Sequence, residues 1–288
     1  MAVLGAALLL TVTSCGPANQ EPQKQPKQET VKEQETENVQ RILFSVPSPL
    51  ESALMIQECG IPYSAEVLHD FEKSRDYSTT PDKALNMGVY ITDLSYSNVF
   101  GQTSNAVNSF KAIEDLANQL DLDHLIDDKL MNSFDESINN KEALMRLTAD
   151  VYSDLQLELS EGDMQYVNAL IIAGAWVEGM YITTAVLDDI LAEEKVVARI
   201  AAQQQTLKNL VGLLGAYENV PSVQQTLSDL QNLVELFNQA EVIDGTKQVE
   251  VNETSVRVKG GSTMKLTAAQ LKSIKEEIQK IRTGYVEV

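Results

Sequence analysis

The stretch from Ser160 to Leu187 constrains this chain more than any other. From Val167 to Leu187 it is almost unbroken apolar sequence, with Asn168 and Glu178 the clearest exceptions. A helix that is apolar on every side either lies inside a large core or crosses a bilayer. Ala169 to Leu187 approaches spanning length. Against a span stand Glu178 near the midpoint, which would cost about 2.5–3.5 kcal/mol on insertion scales, and flanks that are acidic on both sides. The core reading prevails. The expected fold is mainly α, a multi-helix bundle around a buried central helix at about 160–187, with a small C-terminal β-hairpin and a final helix. Ser160 and Asp163, a hydroxyl followed by an acid, suit the start of that central helix.

On a period of about 3.6 residues, Glu178 shares a face with Val167, Leu170, Ile171, Gly174, Tyr181 and Ile182. It therefore reads as a buried carboxylate. Such a group must be paired, hydrogen-bonded or protonated, so a partner is expected on a facing helix. Gly174 and Gly179 lack a Cβ and would let another backbone approach.

A second stretch carries the complementary pattern. Thr80-Pro81 opens a helix expected to run to about Phe100, before Gly101. Leu85, Val89, Thr92, Tyr96 and Val99 form one face of it, and Met87, Ile91 and Leu94 another. Between them Asn86, Tyr90, Asp93 and Ser97 fall into one polar row. A polar row edged by two apolar faces is expected to be enclosed. Asn86, Tyr90, Asp93, Tyr96, Glu178 and Tyr181 are thus the candidate ligand-binding or buried polar network. If Asp93 and Glu178 meet, one of them should titrate well above the ordinary carboxylate range unless a cation intervenes.

The chain begins with an apolar run, Ala2 to Leu10, that leads to Val12-Thr13-Ser14-Cys15-Gly16. Small residues before a cysteine at the end of a short apolar run resemble the lipobox of bacterial lipoprotein signal peptides. The likeness implies that residues 1–14 are removed and that Cys15 carries the lipid. The run lacks the Lys or Arg that ordinarily precedes such a segment. Residues 15–40, rich in Gln, Glu, Lys, Pro and Thr, cannot bury enough apolar surface to offset the entropy of ordering and read as a tether. Residues 41–288 read as a single helical domain, with no second polar linker to divide it. Formal charge is −20 without a basic run, which makes nucleic acid a poor partner. With Cys15 assigned to lipid, Cys59 is the remaining cysteine, expected as a packed or capping thiol at a helix end before Gly60.

The remaining elements follow from spacing and caps. Helices are expected at Ser48–Cys59, about Gln102 to Leu120, near Asp128 to Ile138, and about Lys141 to Leu159. Further helices are expected at Glu194 to Tyr217 and Ser222 to Ala240. Near Ile243 the period changes to two: Val249, Val251, Val256 and Val258 alternate about Asn252-Glu253 as a hairpin would. Gly260-Gly261 reads as a turn. Thr267 and Gln270 then form a capping box for a last helix ending at about Ile281. Glu66…His69 and Asp121…His124 each place an acid three residues before a histidine, a spacing used by di-metal bundles. Both lie in short segments, so His69 and His124 read as surface or helix-end residues, and no metal or cofactor is expected. Phosphate-binding Gly-rich loops, the Gly-x-Ser-x-Gly elbow and zinc-type Cys pairs are all missing.

Together these features resemble an uncharacterised family of helical bacterial lipoproteins. The resemblance rests on Pro47-Ser48-Pro49 with Glu51, on Asn86, Gly88, Tyr90, Asp93 and Tyr96, and on Gly174, Trp176, Glu178, Gly179 and Tyr181. It spans about Ile42 to the C-terminus, and Ala175 stands where a second glycine would be expected. It implies a cell-envelope protein anchored by its N-terminal lipid, at the outer membrane on its periplasmic or surface face. No activity attaches to that family. The first expectation is a non-catalytic protein whose helical domain binds an envelope protein or a small ligand. The alternative is a carboxylate-dependent enzyme acting on an envelope component through Asp93 and Glu178.

Overall fold

Hydroxyl and proline residues set the starts of the first helices in the computed structural model, which describes residues 45–160, 164–185, 194–243, 248–252, 255–259 and 263–287. Helix α1 (Pro49–Glu58) begins in a full capping box: Ser48 Oγ accepts the Glu51 N–H, and the Glu51 carboxylate accepts the Ser48 N–H at 2.8 Å. Helix α2 (Thr80–Val99) is capped by the Thr79 hydroxyl, with proline in its first turn. Gly101, at φ 69°, adopts the left-handed conformation that turns the chain into α3 (Thr103–Gln119). Helices α4 (Asp128–Ser137) and α5 (Lys141–Glu158) follow, capped by Asp127 and Asn140. Then come α6 (Gln165–Ala185), α7 (Glu194–Gly215) and α8 (Pro221–Phe237). The last helix, α9 (Ala268–Val286), starts at a Thr267–Gln270 capping box.

Between α8 and α9 the described residues form four short strands, β1 (Glu241–Ile243), β2 (Gln248–Asn252), β3 (Ser255–Lys259) and β4 (Thr263–Lys265). β1 pairs with β4 and β2 with β3, both antiparallel, the latter with Val249 opposite Val258 and Val251 opposite Val256. The turn expected about Glu253, the Gly260-Gly261 turn, the signal peptide, Cys15, the tether, Asp163 and Leu187 lie outside the described residues. The protein is mainly helical.

Two helices are buried nearly throughout. Every residue of α2 from Ala84 to Val99 and every residue of α6 from Val167 to Met180 is buried. Helix α6 is the one described helix long and apolar enough to cross a membrane, and 89% of its apolar window is covered by the rest of the protein. The two helices touch backbone to backbone. A Cβ on Gly88 would stand 2.0 Å from the Ile171 carbonyl oxygen, and one on Gly174 would stand 2.0 Å from that of Leu85. Only glycine fits at either place. Thr92 strengthens the seam by reaching from α2 to the Ala175 carbonyl at 3.1 Å.

Two expected boundaries shift. Ser160 does not open α6; its hydroxyl donates to the Leu157 carbonyl at 2.6 Å and closes the end of α5. The last helix runs beyond Ile281 to Val286, because Tyr285 and Val286 continue its buried face. That extension brings Arg282 into the fold.

Candidate functional site

The polar row on α2 faces α6 and α9, and its central member is Asp93. Asp93 and Glu178 are both wholly buried. Arg282, on α9, meets Glu178 with two parallel bonds, Nε to Oε2 at 2.9 Å and a terminal nitrogen to Oε1 at 3.2 Å. This fork geometry is the strongest form of carboxylate pairing. The Arg282 side chain is 12% exposed, and its guanidinium carbon lies 4.5 Å from the centre of the Tyr181 ring. Tyr181 thus supports the arginine from below. The partner expected for Glu178 is therefore an arginine on the last helix.

Asp93 accepts the backbone N–H of His69 on Oδ2 at 2.9 Å. Its Oδ1 receives no donor. Two buried carboxyls that feel each other's charge favour one proton on the pair. Asp93 is the member that favours it: burial and then the charge of Glu178 raise its pKa well above the usual range. Burial also raises Glu178, but Arg282 opposes that rise. Burial works against the charge on Arg282, and the Glu178 carboxylate overcomes this, holding the guanidinium above its ordinary value. A neutral acid, a carboxylate and a guanidinium add to no net charge, which is what an interior tolerates.

A second layer surrounds Asp93. The His69 ring lies 5.2 Å from that of Tyr90, stacked on it, and its Nε2 lies 2.6 Å from the Tyr77 hydroxyl. Burial, followed by the nearby Arg282 charge, lowers the His69 pKa to about 4. His69 is therefore a half-buried neutral ring just past the short helical turn Ala65–Val67, where a surface or helix-end residue was expected. His124 is an exposed partner of Glu158 at 3.4 Å. Among the described residues no three His, Cys, Asp or Glu side chains gather as metal ligands do.

The other candidate residues disperse along α2. Tyr90 donates to the Asp70 carbonyl at 2.8 Å. Asn86 donates to the carbonyls of Asp82 at 2.8 Å and Tyr285 at 2.6 Å, fastening the end of α9. Tyr96 accepts the Ser64 N–H at 3.0 Å and braces the chain leading out of α1. The six candidates thus form a core of Asp93, Glu178 and Tyr181, with Tyr90 beside it and Asn86 and Tyr96 serving different neighbours. An apolar cavity among Met87, Ile91, Phe110, Phe134, Leu147 and Tyr152 contains none of the charged groups.

Sequence reasoning missed Arg282, His69 and Tyr77. Arg282 lies four residues after Ile278 and three before Tyr285, on the flank of the apolar face of α9. That position was the available signal. Comparison of the chain with known protein families, curated proteins and solved structures finds no match.

Proposed function

We propose that this chain is a lipid-anchored cell-envelope protein, of the helical lipoprotein kind its motifs resemble, which binds a protein partner or small ligand and carries out no catalysis. In this reading a bundle organised on α6 is held clear of the membrane by the tether after Cys15. The observation that carries the non-catalytic part is the closure of the charged network. Both Glu178 oxygens are taken up by Arg282, and both carboxyl groups are shut away from solvent. A wholly buried carboxylate gripped on both oxygens is out of a substrate's reach, and its chemistry fixes how three helices meet.

One feature favours the enzyme reading. Burial and the Glu178 charge raise Asp93, while Arg282 opposes the rise at Glu178, and paired carboxyls with separated affinities are how acid and base roles are divided. Thermal unfolding of the protein against metal ions, glycan fragments, peptides and lipids, with Asp93→Asn and Glu178→Gln alongside, separates the two. A ligand at one hundred times its dissociation constant adds about 2.7 kcal/mol, several degrees in midpoint for a domain this size. Under the structural reading both variants lose stability and keep every ligand response. A response lost in both variants while the fold persists would establish a working site at the carboxyls. Fractionation tests the anchor: Cys15→Ser should move the protein out of the membrane fraction.

A further inference from the structure

The wall between α1, α6 and α7 holds a different chemistry. Met55 on α1 and Cys59, which caps its end with helical φ and ψ, lie four residues apart, as do Trp176 and Met180 on α6, so each pair shares one face. All four line one small cavity. The helices come close there: a Cβ built on Gly179 stands 3.5 Å from the Ser52 Cβ, in ordinary contact. Cys59 is 6% exposed and Met180 4% exposed, and Met55 is half-buried. The Trp176 indole is oriented by a bond to Gln203 Oε1 at 3.3 Å.

We infer that Met55, Cys59 and Met180 form a site for a soft monovalent cation, copper(I) or silver(I), beneath Trp176. This goes beyond the function proposed above and stands independently of it. Two thioethers and a thiol are the donors that select copper(I) over hard cations. No carboxylate and no imidazole lines the cavity to offer a divalent ion an alternative. Charge points the same way. Binding replaces the thiol proton by the metal, the proton leaves to solvent, and thiolate plus monovalent cation is neutral in an apolar wall. A divalent ion would leave a buried positive charge, which is costly. Arg199, which also lines the cavity, has its charge paired with Glu58 at 3.9 Å. The cavity is about 30 Å³, enough for an ion and too small for an organic ligand.

Trp176 is the single tryptophan of the chain, so its fluorescence reports on this wall alone. The test uses the full chain carrying Cys15→Ser in detergent, which leaves Cys59 as its one thiol. It is titrated with silver nitrate in chloride-free buffer, and with copper(I) under reducing, anaerobic conditions against a colorimetric chelator. The expected result is a change in Trp176 emission complete at one equivalent, with no response to zinc. Met55→Leu and Met180→Leu keep side-chain volume and so keep the fold, which circular dichroism verifies. Each should weaken binding by at least about tenfold, a loss in the range caused by disturbing a metal site's support, and Cys59→Ser should abolish it. No emission change at one equivalent overturns the site. So does an equal response to zinc, or unchanged affinity in both methionine variants, which would reduce it to a thiol binding metal alone.

Discussion

Arg282 is the residue on which the buried charges depend. Removing it leaves Glu178 ionised with no counter-charge, and breaking a buried pair from one side costs about 3–5 kcal/mol. Arg282→Ala should lower stability by that order in urea unfolding. Adding Glu178→Gln should recover much of the loss, since the uncompensated charge is then gone; simple additivity of the two changes would refute the pairing. Asp93 makes a prediction in pH. Its proton is held more tightly folded than unfolded, so above the ordinary carboxyl range the native state carries the extra proton and stability falls as pH rises. His69 acts in the opposite sense: its value falls from 6.5 to about 4 on folding, so stability is lost as pH drops through that interval. The two slopes oppose each other there, and above it the Asp93 slope stands without that opposition. Unfolding free energies from urea melts, measured above pH 6.5 and below the ordinary tyrosine value of 10.0, should therefore decline in the wild type by up to about 1.4 kcal/mol per pH unit for as far as Asp93 keeps its proton. The decline should be smaller in Asp93→Asn, whose amide is neutral throughout, and what remains belongs to Glu178, which burial also raises; an identical decline would show that Asp93 is ionised already. The two carboxyl groups were legible in the sequence because spacing places them among apolar neighbours. Arg282 was not, because a cation near a helix end reads as solvated, and its burial depends on which helix α9 packs against.

Between elements, the α2–α6 seam depends on missing side chains. Gly88→Ala and Gly174→Ala each place a Cβ 2.0 Å from a carbonyl oxygen of the facing helix, so two packed backbones must separate. A loss of several kcal/mol is expected for either, at the far end of single-substitution effects. Gly179→Ala is the control. Its Cβ would meet only Ser52 at 3.5 Å, and replacing a mid-helix glycine gains up to about 1 kcal/mol of helix propensity. Urea unfolding should therefore rank Gly179→Ala at or above the wild type and the other two far below it. Similar losses at all three would mean that the seam is looser than these distances. The sequence pointed to close approach at Gly174 and Gly179 alike, and the geometry separates them. Helix positions were legible because proline, hydroxyl and glycine punctuation acts locally. Ser160 misled because the same hydroxyl that caps a helix start also bonds backward to a carbonyl, and only the path of the chain decides which.

Over the whole molecule, the last turn of α9 closes the fold onto elements some two hundred positions earlier. Asn86 on α2 donates to the Tyr285 carbonyl, and Tyr77 donates to that of Val286 at 3.5 Å, in addition to the Arg282 pair with Glu178. Contacts so distant in sequence leave little local trace. The periodic apolar positions of α9 end the expected helix at Ile281, one residue short of everything that engages the site. A chain stopped after Ile281 keeps Leu271, Ile274, Ile278 and Ile281 for the core and loses the arginine and both carbonyls together. It should unfold at lower urea than Arg282→Ala, because Asn86 then also loses a buried acceptor, at about 1–3 kcal/mol for an unsatisfied polar group. Glu178→Gln in the shortened chain should restore only the electrostatic part. If the shortened chain matched Arg282→Ala, the carbonyl bonds would be replaceable by water and the arginine would close the molecule alone. If it matched the wild type, α9 would be held by its apolar face, and the three-helix polar network would not be what joins the end of the chain to its beginning.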